Sequence, residues 1–268
     1  MKPAIHQSQL DMLTGKCAIM YEHRYINNIK VPPGIAVHAG TGVHQGAAKN
    51  YEHTIEHGTL LDTEAVVEIA VSAFDAALEK DGAIDDSPSE RGDAKDKTVR
   101  LARLHAERVA PARMPAAVEK SFRLELGNYP IDVVGTIDLI EKNDELSDVK
   151  TSGKSPQESI VHSSVQLSAY ALAKNAMDGK PLNTEVAVRL DYLVDTKLPK
   201  HVPLHSSRNG IDYQNFLKRV ELANQMIESG VFPPTSPGNW VCSAKWCGYY
   251  NDICAFGRRG RSHNTEGN

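Results

Sequence analysis

Features that would place the chain in a membrane or in the secretory route are absent from its sequence. No apolar run in the 268-residue chain approaches the ~20 residues that a membrane-spanning helix requires. The N-terminus, MKPAIHQSQLDML, lacks the basic stretch and apolar block of a signal peptide. No internal repeat is present either. These absences predict a soluble, cytoplasmic protein that has no membrane partner.

A strong excess of one sign of charge is lacking as well. The chain has 30 Lys and Arg residues and 34 Asp and Glu residues, which gives a formal net charge of −4. This balance argues against a polycation that coats nucleic acid, although a nucleic-acid enzyme needs only a local basic channel. Hydrophobic residues make up 41% and charged residues 24% of the chain, as is typical of a globular protein. The length suits one large domain.

A nucleotide site is not predicted, although the stretch Ile35–Gly46 is rich in glycine. A dinucleotide-binding turn requires a strand–helix–strand unit with an acid after the second strand. Asp62 lies at a suitable distance, but Thr59–Asp62 is too short to form that strand. No Walker-type G-x-x-x-x-G-K sequence is present, so any motor would have to be a separate chain.

Hydrophobic periodicity predicts helices in the first part of the chain and strands mixed with helices in the second. Helices are expected over 62–80 and 97–110, with a polar loop over 81–97 between them. The further predicted elements, in chain order, are strands over 116–126, 131–141 and 145–151, a helix over 158–177, a strand over 185–194 and a helix over 213–229.

These elements predict an α/β (α+β) fold, a central mixed sheet flanked by helices. A single domain is expected over residues 1–256. It comprises a helical N-terminal part (1–115), a core (116–230) and a cysteine segment (240–254). The polar residues 257–268 are predicted to be a disordered tail.

Two carboxylates and a lysine carry the first chemical signal. A turn centred on Asn143 would place Asp138 directly opposite Asp148 in a hairpin, with Cβ atoms ~5 Å apart. Two carboxylates at this distance repel each other unless a cation lies between them, and oxygen ligands suit Mg²⁺ or Mn²⁺. Lys150 projects from the same face as Asp148, where it could position a water molecule or stabilise phosphoryl charge. The alternative is an acidic solvent face neutralised by a lysine.

The next predicted helix carries His162, Gln166 and Tyr170 at i, i+4 and i+8. These side chains form one polar stripe on a helix that is otherwise apolar. The stripe could face solvent, or it could face the carboxylates and hold a phosphate backbone.

At this point the sequence resembles a known family. The segments G-T-I-D, D-V-K-T and Q-L-S-A-Y, which contain Asp138, Lys150 and Tyr170, resemble in order and spacing the RecB-type branch of the PD-(D/E)XK nuclease superfamily. That branch typically has a histidine in an N-terminal helix after a small-residue segment, and His44 within Gly40–Gly46 fits it. One departure is Ile137, which stands where the superfamily name places a proline.

The resemblance implies a restriction-endonuclease-like core and a metal-dependent deoxyribonuclease. It implies that His44, Asp138, Asp148 and the backbone carbonyl of Val149 are ligands of Mg²⁺ or Mn²⁺. It also implies that Lys150 is the catalytic lysine and that Gln166 and Tyr170 form the motif that closes the site. Such relatives mostly act as exonucleases on DNA ends in recombination or repair, and small ones occur in phage genomes and in CRISPR spacer acquisition. Candidate DNA-guiding residues are Arg123, Lys154, Arg189, Arg258, Arg259 and Arg261.

All four cysteines of the chain are Cys17, Cys242, Cys247 and Cys254, and three of them lie within thirteen residues. Reduced thiols in the cytosol are free or bound to metal more often than they are disulfide-linked. Four thiolates can hold Zn²⁺ or an iron–sulfur cluster, and a simple cluster of buried thiols is the third option.

The resemblance favours a [4Fe–4S] cluster, with zinc as the alternative. One subset of RecB-type nucleases has one cysteine before the nuclease core and three after it, which pin the chain ends together. Cys17 and the three C-terminal cysteines occupy those places.

The predicted function is a DNA exonuclease. The competing predictions are a catalytically inert DNA-binding scaffold and a subunit of a helicase–nuclease complex. DNA ends, single- or double-stranded, are the expected partner, and a homo-oligomer or a recombination partner remains open.

Overall fold

The structure is a computed structural model that describes residues 2–257. The predicted disordered tail from Arg258 onward, with its three arginines, lies outside the described residues. Within residues 2–257 there are six strands, namely β1 (Ala4–His6), β2 (Pro115–Leu124), β3 (Asp132–Glu141), β4 (Leu146–Ser152), β5 (Val186–Val194) and β6 (Lys200–Arg208). The α-helices of the described residues are α1 (Gln7–Asp11), α2 (Ala18–Tyr21), α3 (Ile35–His57), α4 (Thr63–Asp81), α5 (Pro88–Leu104), α6 (Ser159–Ser163), α7 (Val165–Met177) and α8 (Gly210–Ser229).

The strands form one mixed sheet, in which β4 and β5 are parallel, β5 and β6 antiparallel, and β3 antiparallel to both β2 and β4. This confirms the predicted α/β class. The sequence analysis missed two strands. β1 has only three residues, and it pairs in parallel with the start of β3. β6 is half-exposed and contains Pro203, a residue that lowers strand propensity and is tolerated at sheet edges.

Helices cover both faces of the sheet. α7 and α8 pack on one face, where Leu167 and Leu172 join Leu146 and Leu190 in the main hydrophobic core. α3 and α5 pack on the other face, where Val43 and Leu101 meet Val149. None of the helices described for residues 2–257 has the length and apolar character needed to cross a bilayer.

The polar stretch predicted as a loop over 81–97 is partly wrong, because α5 begins within it at Pro88. Ser87 caps the helix by accepting a hydrogen bond from the Glu90 amide, and proline at the first helical position lacks only an N–H that would be unpaired there anyway. The first turns of α5 are polar because they face solvent.

The glycine-rich stretch lies within α3, and its glycines allow α3 to pack closely on α4. A Cβ atom added at Gly42 would lie 2.5 Å from the carbonyl oxygen of Ala70 and 2.9 Å from Thr98 Cγ2. At these distances even a methyl group forces the helices apart.

Gly42→Ala is therefore expected to lower the free energy of unfolding by about 1–3 kcal/mol, the usual cost of overpacking. Gly92 on α5 is the matched control, since a Cβ atom there meets nothing within 4 Å, and Gly92→Ala should stabilise the protein by roughly 0.5–1 kcal/mol. Urea unfolding followed by circular dichroism measures both changes. Equal effects of the two substitutions would contradict the close packing of α3 on α4.

Candidate active site

The candidate site lies where β3 and β4 separate. The two strands pair only through Leu139–Ser147 and Ile140–Leu146, which is the register that the turn at Asn143 predicts. Asp138 and Asp148 come next, and their carboxyl groups are in contact. β2 pairs along the other edge of β3. On the same edge as β4, β1 pairs with the first residues of β3, which β4 does not reach. The strand ends thus open around the two acids.

α3 brings His44 to this opening. His44 Nδ1 lies 3.0 Å from Asp138 Oδ2. Burial alone would lower the pKa of His44, but the hydrogen bond and charge of Asp138 outweigh it, and the pKa is raised. Burial likewise opposes the charged form of Asp138, yet His44 holds the pKa of Asp138 below its usual value. Each group of the pair therefore stabilises the charged form of the other.

Lys150 and Gln166 surround the second acid. Lys150 Nζ lies 2.6 Å from Asp148 Oδ2 and donates a hydrogen bond to Gln166 Oε1 at 2.8 Å. The amide of Gln166 donates to Asp148 Oδ1 at 3.0 Å. Asp148 is fully buried, and this burial raises its pKa despite the charge of Lys150. The lysine is therefore held in a fixed position by two acceptors.

Tyr170 completes the contacts, because its hydroxyl donates to Asp138 Oδ1 at 3.0 Å and accepts from Gln166 Nε2 at 2.7 Å. Gln166 and Tyr170 thus face the carboxylates, as one of the two interpretations of the polar stripe predicts. His162 does not join them. The predicted helix over 158–177 breaks at Ser164, where the backbone is extended and the hydroxyl caps α7 by accepting from the Leu167 amide. His162 on α6 contacts Ser206 instead.

Arg208 holds this break in place, and the sequence analysis did not identify it. The side chain is 1% exposed. Its guanidinium donates to the carbonyl oxygens of Val161 and Ser164 and to Ser168 Oγ. These contacts fix the end of α6 and the beginning of α7, the helix that carries Gln166 and Tyr170. A lone arginine in β6 gives no signal of this role in the sequence.

Glu119 is a second residue that the sequence analysis did not identify. Val118 pairs with Leu139 and Lys120 with Ile137, so Glu119 lies across from Asp138. Its φ of 47° is rare for a residue with a side chain, and burial and the charge of Asp138 raise its pKa. Acids of three neighbouring strands therefore stand in a row. Only the pairing of β2 with β3 reveals this.

The donor set fits a divalent cation in its chemistry. Asp138 Oδ2 and Asp148 Oδ2 are buried and accept no hydrogen bond of good geometry, and their neighbours are the cations of His44 and Lys150. Carboxylate oxygens and an imidazole suit Mg²⁺ or Mn²⁺. As they stand, no three His, Cys, Asp or Glu side chains of residues 2–257 are arranged to hold a metal ion. The His44–Asp138 contact would have to open for one to bind.

The four cysteines, far apart in sequence, are brought together. Cys17 ends a π-helical turn after α1, and the other three lie in the irregular segment after α8; all four line one small cavity with Tyr249. Burial, followed by the neighbouring thiols, raises the pKa of Cys247. In the described part of the chain these thiols, too, are not gathered closely enough to hold a metal as they stand.

The prediction that Arg189 guides DNA is wrong. Arg189 is 2% exposed and forms ion pairs with Glu141, Glu145 and Asp191 beneath the surface. Arg123 is partly exposed but already paired with Asp132. Lys154 is exposed in the loop after β4. The regular alternation along β5 does not distinguish a buried arginine from an exposed one.

Comparisons with known proteins give one family match and two structural matches. The profile of the PD-(D/E)XK nuclease superfamily matches residues 7–255. A solved structure from Eubacterium rectale, provisionally described as an exonuclease, superposes with a TM-score of 0.59 at 11% identity, covering 89% of this chain and 86% of that one. The structure of SSO0001 gives a TM-score of 0.36 at 16% identity, covering 89% and 94%. None of the curated proteins matches.

At 11% identity the likeness to the Eubacterium rectale protein shows a shared fold, a restriction-endonuclease-like sheet flanked by helices. The profile match is the stronger finding because it spans almost the whole described chain, from α1 to the last cysteine. The chain belongs to the PD-(D/E)XK nuclease superfamily.

Proposed function

We propose that the protein is a metal-dependent DNA exonuclease of the RecB-type branch. The observation that carries this proposal is the contact of Lys150 with Asp148 beside Asp138, at the point where β3 and β4 separate. Burying two carboxylates beside a lysine costs desolvation energy, and such groups cluster at functional sites, which favours a catalytic role over a structural one. The provisional description of the Eubacterium rectale protein agrees with an exonuclease.

His44, Asp138, Asp148 and the carbonyl of Val149 would hold Mg²⁺ or Mn²⁺, and Glu119 is a further candidate ligand. The bound metal ion would supply a water molecule of lowered pKa and would neutralise charge on the scissile phosphate. Asp138 and Asp148 would supply the negative charge that holds the ion, and a metal cation would offset the burial that raises the pKa of Asp148.

The remaining roles in the proposed reaction belong to Lys150, Gln166 and Tyr170. The Lys150 ammonium, fixed by Asp148 and Gln166, orients the attacking water and stabilises charge that develops on the phosphate. Gln166 spans Lys150, Asp148 and Tyr170 through hydrogen bonds. It therefore keeps the lysine and both acids at fixed separations while the DNA strand passes.

Linear DNA labelled at its ends, incubated with the protein and Mn²⁺ or Mg²⁺, tests the activity. We expect labelled ends to be released, covalently closed circles to survive, and a chelator to stop the reaction. Cleavage of the circles would replace the exonuclease with an endonuclease. Absence of cleavage on both single- and double-stranded ends would favour the inert scaffold.

We also propose that Cys17, Cys242, Cys247 and Cys254 bind a [4Fe–4S] cluster, with zinc as the alternative. All four cysteines line the same cavity, which supports a ligand that they share. To bind it, their side chains would rotate so that the four sulfur atoms point toward one position. Linking Cys17 to Cys242 closes a loop of 225 residues, which removes about 5 kcal/mol of unfolded-chain entropy in the cross-link model. This is comparable to the net stability of a whole domain.

Anaerobic purification followed by absorption spectroscopy and metal analysis tests the cluster. We expect a broad thiolate–iron absorbance near ~400 nm, and we expect Cys247→Ser to lose both the colour and the cooperative unfolding of the wild type. A colourless protein that contains zinc would establish the alternative. A colourless protein without metal, as stable as its Cys247→Ser variant, would leave only packed thiols.

A further inference from the structure

The chain has two tryptophans, and both lie in the cysteine segment on the surface. Trp240 is 61% exposed and Trp246 is 55% exposed. Tryptophan is usually buried for most of its area because of its large apolar surface. The position of both tryptophans outside the core indicates a surface that a ligand or partner covers.

The two indole rings form one platform with a cation beside it. Their centroids are 5.3 Å apart in an edge-to-face arrangement. The ammonium of Lys245 lies 5.4 Å from the centre of the Trp246 ring. Phe256, 54% exposed, is a further aromatic residue of the segment. We call Trp240, Lys245 and Trp246 the tryptophan platform.

The segment beneath the platform is fixed to the rest of the protein. Tyr249 donates a hydrogen bond from its hydroxyl to the carbonyl oxygen of Ile29 at 2.9 Å. Gly248 approaches Val31 so closely that an added Cβ atom would lie 2.5 Å from Val31 Cγ1. A platform held in this way loses little conformational freedom when it binds a ligand.

The segment carries little charge of either sign, so it presents no acidic surface that would repel a nucleic acid. Between Val231 and Gly257 the sequence contains one acid, Asp252, and one base, Lys245; Arg258, Arg259 and Arg261 follow directly. Exposed aromatic rings next to cations bind single strands, because each unpaired base offers a π-face for stacking while its phosphate meets the cation. A duplex keeps its bases stacked on one another and does not offer those faces.

We propose that the tryptophan platform binds single-stranded DNA, with bases stacked on Trp240 and Trp246 and a phosphate at Lys245. This inference rests on the proposed function, because it makes the platform a second contact for the strand that the active site cuts. The segment packs on Ile29 and Val31, shortly before α3, the helix that carries His44. His44 lies nine residues into that helix, about 13 Å along its axis.

Tryptophan fluorescence tests the proposal directly, since Trp240 and Trp246 are the two tryptophans of the chain and the emission reports this platform alone. The full-length protein is titrated with oligothymidine in a chelator, so that no strand is cut. We expect saturable quenching, and we expect a duplex of the same length to quench far less.

Substitutions measured by the polarisation of a labelled oligothymidine complete the test. Trp246→Ala should weaken binding by about 5- to 150-fold, the range for loss of one stacked base, while Trp246→Phe should retain most of the affinity. Ile211→Ala is the matched control, because Ile211 is 78% exposed on α8 outside both sites, and it should change nothing. Circular dichroism of each variant establishes that it is folded.

Absence of quenching by oligothymidine, equal quenching by a duplex, or equal affinities of Trp246→Ala and Ile211→Ala would overturn the proposal. A protein partner for the platform would produce the first of these results. The failures are distinguishable: cleavage without quenching removes only the platform, whereas quenching without cleavage removes only the nuclease.

Discussion

Lys150→Met is expected to lower the rate of DNA cleavage by about 10²- to 10³-fold, the usual cost of removing one group that stabilises charge in a transition state. Methionine keeps the length of the side chain and removes its charge. Gln166 still donates to Asp148, and His44 still contacts Asp138. Asp148 loses its cation but can take up a proton, because burial already raises its pKa. The fold should therefore survive, and circular dichroism of the variant checks this.

Initial rates on end-labelled linear DNA measure this effect. Lys218→Met is the matched control, since Lys218 is an exposed lysine on α8 and is not among the site residues, and its rate should stay close to that of the wild type. If both variants cut DNA at similar rates, Lys150 is a lysine that merely neutralises an acidic hairpin, which was the alternative interpretation of the sequence.

Arg189→Met is expected to lower the free energy of unfolding by about 3–5 kcal/mol, the typical cost of removing one partner of a buried ion pair. The guanidinium contacts Glu141, Glu145 and Asp191, and its loss leaves these acids facing each other away from water. Arg113, which lies near Glu141 and Asp191, cannot reach all of them.

Chemical unfolding of Arg189→Met beside Arg91→Met checks this prediction. Arg91 also pairs with an aspartate, Asp86, but on the surface, where an ion pair contributes about 1 kcal/mol or less. Arg189→Lys should lie between the two, since one ammonium replaces one of several contacts. Losses of similar size at both arginines would mean that the buried network contributes no more than a surface pair.

Periodicity predicted most elements of the core, because apolar residues recur at every second position of a strand and every third or fourth position of a helix that packs on a sheet. It placed β3, β4, β5 and α8 within a few residues of their bounds. It missed the break at Ser164, since the apolar repeat continues across it on both sides. It also missed β6, whose outer residues are polar and whose pattern includes a proline.

The candidate site divides in the same way. The turn at Asn143 fixes the register of β3 and β4, so the facing positions of Asp138 and Asp148 follow from the spacing alone. Gln166 and Tyr170, one helical turn apart, follow from helical periodicity. Arg208 and Glu119 could not be predicted, because their roles depend on contacts with residues that are distant in the sequence.

The sequence by itself therefore determined the order of most elements, the hairpin of acids, the lysine beside them and the presence of a polar helical stripe, all of which depend on local spacing. That Gln166 and Tyr170 of this stripe face the acids was decided by the tertiary structure. Only the tertiary structure decided which strands pair, that Arg189 is buried among acids and that both tryptophans are exposed. The physical reason is that burial and charge pairing arise between elements brought together by packing, and no local pattern records which elements those will be.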